Sequence, residues 1–154
     1  MKENTCCFTG HRVIRSEDKE ELQTNLCKVV ADLIDKGVTD FVCGGALGFD
    51  TLAAKSVLMY KKYNSGVRLI LALPCPEQPE KWSNSDKRTY EDIKAASDEV
   101  FIVSPKYTSE CMMQRNRFMV DMSFYCVAYF RNIGGGTLKT IQYAKEKELT
   151  IKYL

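Results

Sequence analysis

A strong charge of either sign is absent from this sequence. Lys and Arg number 22 against 20 Asp and Glu, a net of +2, so the chain has no field of the kind that coats duplex DNA or holds a protein on an anionic membrane. The seven cysteines, an odd number that includes the adjacent Cys6 and Cys7, never stand at a Cys-x-x-Cys spacing. That spacing record argues against both a disulfide framework and a zinc site, and no metal ligands are assigned. Long apolar runs are also missing: none approaches the length of a bilayer span, and the opening Met-Lys-Glu-Asn-Thr leads into no signal-peptide core. These absences together predict a soluble, cytoplasmic protein without a membrane partner. Repeats, linkers and low-complexity segments are lacking too, so residues 1–154 are expected to form one domain, long enough to bury roughly two-thirds of its unfolded surface.

What is present alternates. Short runs of β-branched, aromatic and Cys residues, at Thr5 to Thr9, Asp40 to Cys43, Val67 to Leu73, Glu99 to Val103, Phe124 to Phe130 and Thr150 to Tyr153, are separated by segments of helical period. That pattern predicts βαβ units: a Rossmann-like, three-layer α/β/α fold on a mostly parallel sheet. In the first helical segment Leu22, Leu26, Val29, Val30, Leu33 and Ile34 recur along one face, and Gly37 stands where a helix ends. Three of the four prolines and the sole tryptophan fall between Pro74 and Asn84, which reads as an irregular loop leaving the third strand.

Ligands of open parallel sheets dock beyond the strand carboxyl ends, where helix N-termini offer free N–H groups to anions. Three loops are suited to this. After the first strand comes Thr9-Gly10-His11-Arg12, in which Gly10 permits close approach, Arg12 can fork onto a phosphate and His11 can donate to one. After the second comes Cys43-Gly44-Gly45-Ala46-Leu47-Gly48-Phe49-Asp50, where Gly44, Gly45 and Gly48 clear the mouth of a helix. Asp50 there reads either as a helix N-cap or as an acceptor for a ribose hydroxyl. After the fifth comes Gly134-Gly135-Gly136-Thr137, an anion nest opening a helix over Leu138 to Lys147. Ahead of the fifth strand, Arg115 and Asn116 project toward the same edge from a helix N-terminal end, while Arg117 and Asp121 stand at ion-pair spacing. Trp82 can stack on a base or serve packing, and the methionines and Phe118 read as core.

These segments together, Phe8 to Arg12, Gly44 to Asp50, Gln114-Arg115-Asn116 with Met119-Val120-Asp121, and Gly135-Gly136-Thr137, resemble the YpsA-like family of the SLOG superfamily over nearly the whole chain. The resemblance implies a single SLOG-type domain whose loops form a pocket for a nucleotide or nucleotide-derived ligand, such as a nucleoside phosphate or an ADP-ribose-type molecule, in a sensing role. It makes a homodimer an expectation. Two related branches supply alternatives. The LOG phosphoribohydrolases cleave the N-glycosidic bond of nucleoside monophosphates; Arg115, Gly136 and Thr137 match their motif, but Asn116 replaces its lysine and Thr140 stands in place of its glutamate. A threonine cannot ionise as that carboxylate does. The DprA branch binds single-stranded DNA through a basic groove, and the near-neutral charge balance here argues against a nucleic-acid partner.

Overall fold

The computed structural model describes residues 2–154. Its elements run β1 (Thr5–Gly10), α1 (Lys19–Asp35), β2 (Asp40–Cys43), α2 (Phe49–Lys61), β3 (Arg68–Leu73), α3 (Asn84–Ala96), β4 (Glu99–Ile102), α4 (Cys111–Asp121), β5 (Tyr125–Tyr129), α5 (Gly136–Glu146) and β6 (Thr150–Tyr153). All six strands pair in parallel, in the order β4-β3-β2-β1-β5-β6. The sheet is thus wholly parallel where the sequence predicted mostly parallel, and the three-layer Rossmann-like architecture holds.

Period-two side chains divide the core between two faces. On one face Phe8, Phe41, Leu69, Leu71, Leu73 and Val127 meet Leu22, Leu26, Val30 and Leu33 of α1, Phe49 and Ala53 of α2, and Tyr90 and Ile93 of α3. On the other, Cys7, Val42, Ile70, Ala72 and Cys126 meet Met119 and Val120 of α4 and Ala144 of α5. Phe8 stacks near Phe41 with ring centroids 6.1 Å apart. Each such side chain taken fully from water contributes roughly 1.5–3 kcal/mol. Helix α1 ends as its sequence predicts: Val38 N–H donates to Leu33 O at 3.0 Å and Gly37 N–H to Ile34 O at 3.0 Å, the paired bonds that close a helix at glycine.

Two local expectations change. Arg117 and Asp121 form no ion pair among the described residues; Tyr143 hydroxyl donates to Asp121 Oδ1 at 2.7 Å, and the Arg117 guanidinium lies 5.9 Å over the Tyr143 ring. A neighbouring helix offers an aromatic face and a hydroxyl, which outcompete an exposed four-residue pair of little value. The last helix also starts two residues earlier than predicted, at Gly136. No helix among the described residues is long and apolar enough to cross a membrane.

Candidate functional site

The strand order places β1 beside β5, and their connections leave for opposite faces: β1 feeds α1 on one side, β5 feeds α5 on the other. At such a reversal a crevice opens outside the carboxyl ends of the two strands. A cavity of about 340 Å³ fills it, lined by Gly10, His11 and Arg12 past β1, Ala46 and Asp50 at the start of α2, Met112, Arg115, Asn116 and Met119 on α4, and Gly134, Gly136 and Thr137 past β5. Other openings exist, including a groove between α1 and α2 lined by Glu20, Lys28 and Asp32. No loop that follows a strand contributes to that one.

The cavity has a positive side. Helix α5 begins at Gly136 after Gly135, so the first-turn N–H groups have no partner within the helix and aim at the cavity with the positive end of the dipole. Arg12 is exposed, and its guanidinium makes one hydrogen bond among the described residues, from Nη2 to the Met112 sulfur at 3.8 Å. A thioether is a weak acceptor, so the cation is available to an anion. Thr137 lines the wall, while Thr140 donates its hydroxyl to Gly136 O at 2.7 Å and is thereby committed to the helix.

Arg115 serves a different purpose from the one its sequence position suggests. It is buried, and its Nη1 donates to Gly44 O and sits 3.4 Å from Ala72 O, while Nε donates to Asn116 Oδ1 at 2.8 Å. It is a cross-tie between α4 and the ends of β2 and β3. Asp50 is buried beside it, against the same face of Gly44: a Cβ at Gly44 would lie 2.7 Å from Arg115 Nη1 and 2.8 Å from Asp50 Oδ2. Burial pushes the Asp50 carboxyl above its ordinary range, opposed by Arg115, by the Ala46 N–H that donates to it at 3.2 Å, and by Arg12. Asp50 is no N-cap; it is the second residue of α2, and Gly48 caps that helix.

Four predicted site glycines, Gly44, Gly45, Gly48 and Gly135, lie outside the cavity lining, as does Trp82. Gly44 is closed over by Arg115 and Asp50, Gly45 turns toward Leu73 and Tyr90, and Gly48 backs onto the β1 loop, where Phe49 N–H donates to His11 O at 3.1 Å. Gly135 stands in sequence between the lining residues Gly134 and Gly136, and Trp82 packs edge-on against Tyr90 at 5.4 Å. The second loop therefore reaches the cavity through Ala46 and Asp50; its Gly44 and Gly45 make room for side chains, and its Gly48 lets the backbone approach that of the β1 loop. Residues that sequence reasoning did not single out are Ala46, Arg131 and Met112, the last of which touches both arginines through its sulfur.

Arg131 N–H donates to His11 Nε2 at 3.0 Å, tying the two loops across the crevice. The accepting nitrogen carries no proton, so the neutral ring holds its proton on Nδ1. Burial, and then the Arg131 charge, keep the imidazole below its ordinary value. A group lowered in the folded state adds stability above its unfolded value of about 6.5 and loses it as pH falls from there through its lower folded value. His11 is the sole histidine, so its NMR titration is unambiguous. The midpoint is expected below 6.5, with the Arg131 amide resonance moving in step; a midpoint at or above 6.5 refutes the tie.

The YspA SLOG family pattern matches residues 6–153. The chain belongs to the YspA SLOG family. Among curated relatives, the uncharacterized SPbeta prophage-derived protein YoqJ of Bacillus subtilis is 30% identical over 142 residues, covering 84% of this chain and 83% of that one. The UPF0398 protein BH1768 of Halalkalibacterium halodurans is 27% identical over 119 residues, 75% of this chain and 63% of its own length. DNA processing protein A from Streptococcus pneumoniae superposes with a TM-score of 0.71 at 16% identity, covering 99% of this chain and 50% of that one. The Helicobacter pylori counterpart, whose structure concerns its single-stranded DNA binding mode, gives 0.70 at 15% identity, with 99% and 65% covered. These two likenesses speak for the shared fold. In this SLOG chain the crevice, rather than the glycine count, is what the loops build.

Proposed function

We propose that the β1/β5 crevice binds a nucleotide or nucleotide-derived small molecule, of the nucleoside phosphate or ADP-ribose type, as a sensor. The carrying observation is the meeting, in one cavity, of the unpartnered first-turn amides of α5 with an arginine whose guanidinium, among the described residues, bonds only a thioether. An anion of phosphate size satisfies both, since helix N-terminal N–H groups and Arg form charge-assisted bonds with it. Asp50 and Asn116 line the same cavity and are the groups suited to meet sugar hydroxyls. Membership of a SLOG family supports the reading.

Arg12→Ala tests it. Because the Arg12 guanidinium bonds only the Met112 sulfur among the described residues, the variant is expected to keep its Tm within about 1 °C, as an exposed substitution should. Its affinity for the ligand should fall about 10- to 100-fold, the worth of a charge-assisted bond. Calorimetry against AMP, ADP-ribose, NAD and cyclic nucleotides supplies the comparison, and a wild-type chain that binds none of them ends the proposal.

Hydrolysis of an N-glycosidic bond is the second reading, and a chemical observation directs it to one residue. Thr140, at the position of the LOG glutamate, has spent its hydroxyl on Gly136 O, so the acid would have to be Asp50, whose carboxyl burial holds toward the protonated form. Base released from AMP by the wild type and lost in Asp50→Asn supports it; intact AMP after prolonged incubation removes it. The Helicobacter pylori neighbour brings a single strand forward as a third candidate. An oligonucleotide affinity falling by orders of magnitude between roughly 50 and 200 mM salt would select the strand over the metabolite. A cytoplasmic setting, in keeping with seven unpaired cysteines, and a homodimeric assembly complete the reading; sedimentation velocity measures the latter.

A further inference from the structure

The crevice does not end at Arg12. A second opening of about 700 Å³ adjoins it, and both Arg12 and Met112 line the two together. Two aromatic side chains stand in the second opening, Trp82 and Tyr107, with Glu77, Glu80, Lys81 and Lys106. Trp82 is half-buried and fixed edge-on to Tyr90 with an interplanar angle of 87°. Tyr107 is 64% exposed and forms no ring contact among the described residues, so its ring face is open to the compartment.

A mononucleotide anchored at the α5 end leaves this second compartment unused. The compartment has a composition of its own: aromatic faces on which a base stacks, carboxylates that accept sugar hydroxyls, and an arginine at the junction where a linking phosphate would lie. The lining is mixed in charge, with Lys81 and Lys106 beside Glu77 and Glu80. The carboxylates accept from the hydroxyls of a terminal sugar, whereas the ammonium groups suit a further phosphate, so comparing a dinucleotide with a longer strand decides how far the ligand extends.

Resting on the nucleotide reading of the crevice, we infer that the ligand is a dinucleotide, two nucleosides joined through phosphate. One unit lies in the β1/β5 cavity, the linking phosphate lies on Arg12, and the second nucleoside lies against Trp82 and Tyr107. Tyr107 lines the second compartment and not the first, and its exposure makes it the aromatic that can be removed with least effect on the fold.

The experiment measures binding to the full chain by calorimetry with four ligands: AMP, the pyrophosphate-linked dinucleotide NAD, a 3′,5′-linked diadenosine and an adenosine hexanucleotide. Wild type is expected to bind one of the two dinucleotides at least tenfold more tightly than AMP, and which one names the linkage. Tyr107→Ala should weaken that dinucleotide by about tenfold, the worth of a stacked base, while AMP affinity stays within twofold. Circular dichroism confirms that so exposed a substitution leaves the fold intact. Equal wild-type affinity for AMP and both dinucleotides, or equal loss for AMP and dinucleotide in Tyr107→Ala, overturns the second compartment and leaves the nucleotide cavity standing. A hexanucleotide bound more tightly than either dinucleotide overturns the terminating sugar in favour of a strand. No binding of any of the four overturns the dinucleotide, and only if ADP-ribose and cyclic nucleotides also fail to bind does the nucleotide reading fall with it.

Discussion

Arg115→Ala is expected to destabilise the protein by about 3–5 kcal/mol, the cost of removing one member of a buried charged set, and to lower Tm by on the order of 10 °C. The side chain reaches the Gly44 carbonyl, the Ala72 carbonyl and Asn116 Oδ1 at once. Its loss opens a void and removes a charged donor from the buried Ala72 and Gly44 carbonyls, bonds worth about 1.5–3 kcal/mol each, leaving Gly44 O with the Gln78 Nε2 donor at 3.4 Å. It also deprives Asp50 of the nearest charge that favours its ionised form. The double variant Arg115→Ala with Asp50→Asn separates these causes. If the stranded carboxylate accounts for part of the loss, the Asp50→Asn change restores stability in the Arg115→Ala background, and the two changes are far from additive. Strict additivity of the unfolding free energies would mean that Asp50 and Arg115 do not sense each other. Loss of nucleotide affinity in Arg115→Ala alone says little about recognition, because the wall on which Asn116 stands moves with it.

How much of this was legible in the sequence divides along a physical line. Strands β2 and β6 have the bounds their composition predicts, and the α1 face follows from spacing, because period-two and period-3.6 patterns report which side of an element meets the core. Loop roles depend on contacts between segments far apart in sequence, and no local pattern encodes those. Gly44 resembles a phosphate-loop glycine until Arg115, 71 residues later, is seen lying over it. His11 resembles an anion donor until Arg131, 120 residues later, donates to it. Met112 reads as core by its type and stands in the cavity wall by its place at the first turn of α4. A clue did exist for Arg115: an arginine between the apolar residues Cys111, Met112, Met119 and Val120 of one short helix is positioned to be buried, and a buried arginine must find carbonyls or carboxylates.

Gly48→Ala is the other change with a large expected effect, and it differs in kind because it adds a single methyl. Gly48 has φ +76° and ψ −119°, a region that side chains other than glycine scarcely enter, with a cost of roughly 1–3 kcal/mol. Added to that, a Cβ would overlap the Arg12 carbonyl and lie 2.7 Å from the His11 carbonyl oxygen. These are backbone atoms, which yield only if the whole β1 loop moves. The loop is held to the start of α2 by the Phe49 N–H bond to His11 O and to the β5 loop by the Arg131 N–H bond to His11 Nε2, so the methyl sets the helix cap against the crevice. The expected result is a destabilisation of about 3 kcal/mol or more together with loss of measurable nucleotide binding, since Arg12 travels with the loop. Gly66→Ala serves as the control: a Cβ there meets nothing within 4 Å, and its effect should stay within about 0.5 kcal/mol. The pairing of the two losses is the decisive readout. Arg12→Ala removes affinity and spares stability, whereas Gly48→Ala removes both, and a Gly48→Ala protein that melted lower yet bound AMP as wild type does would detach the second glycine loop from the crevice altogether.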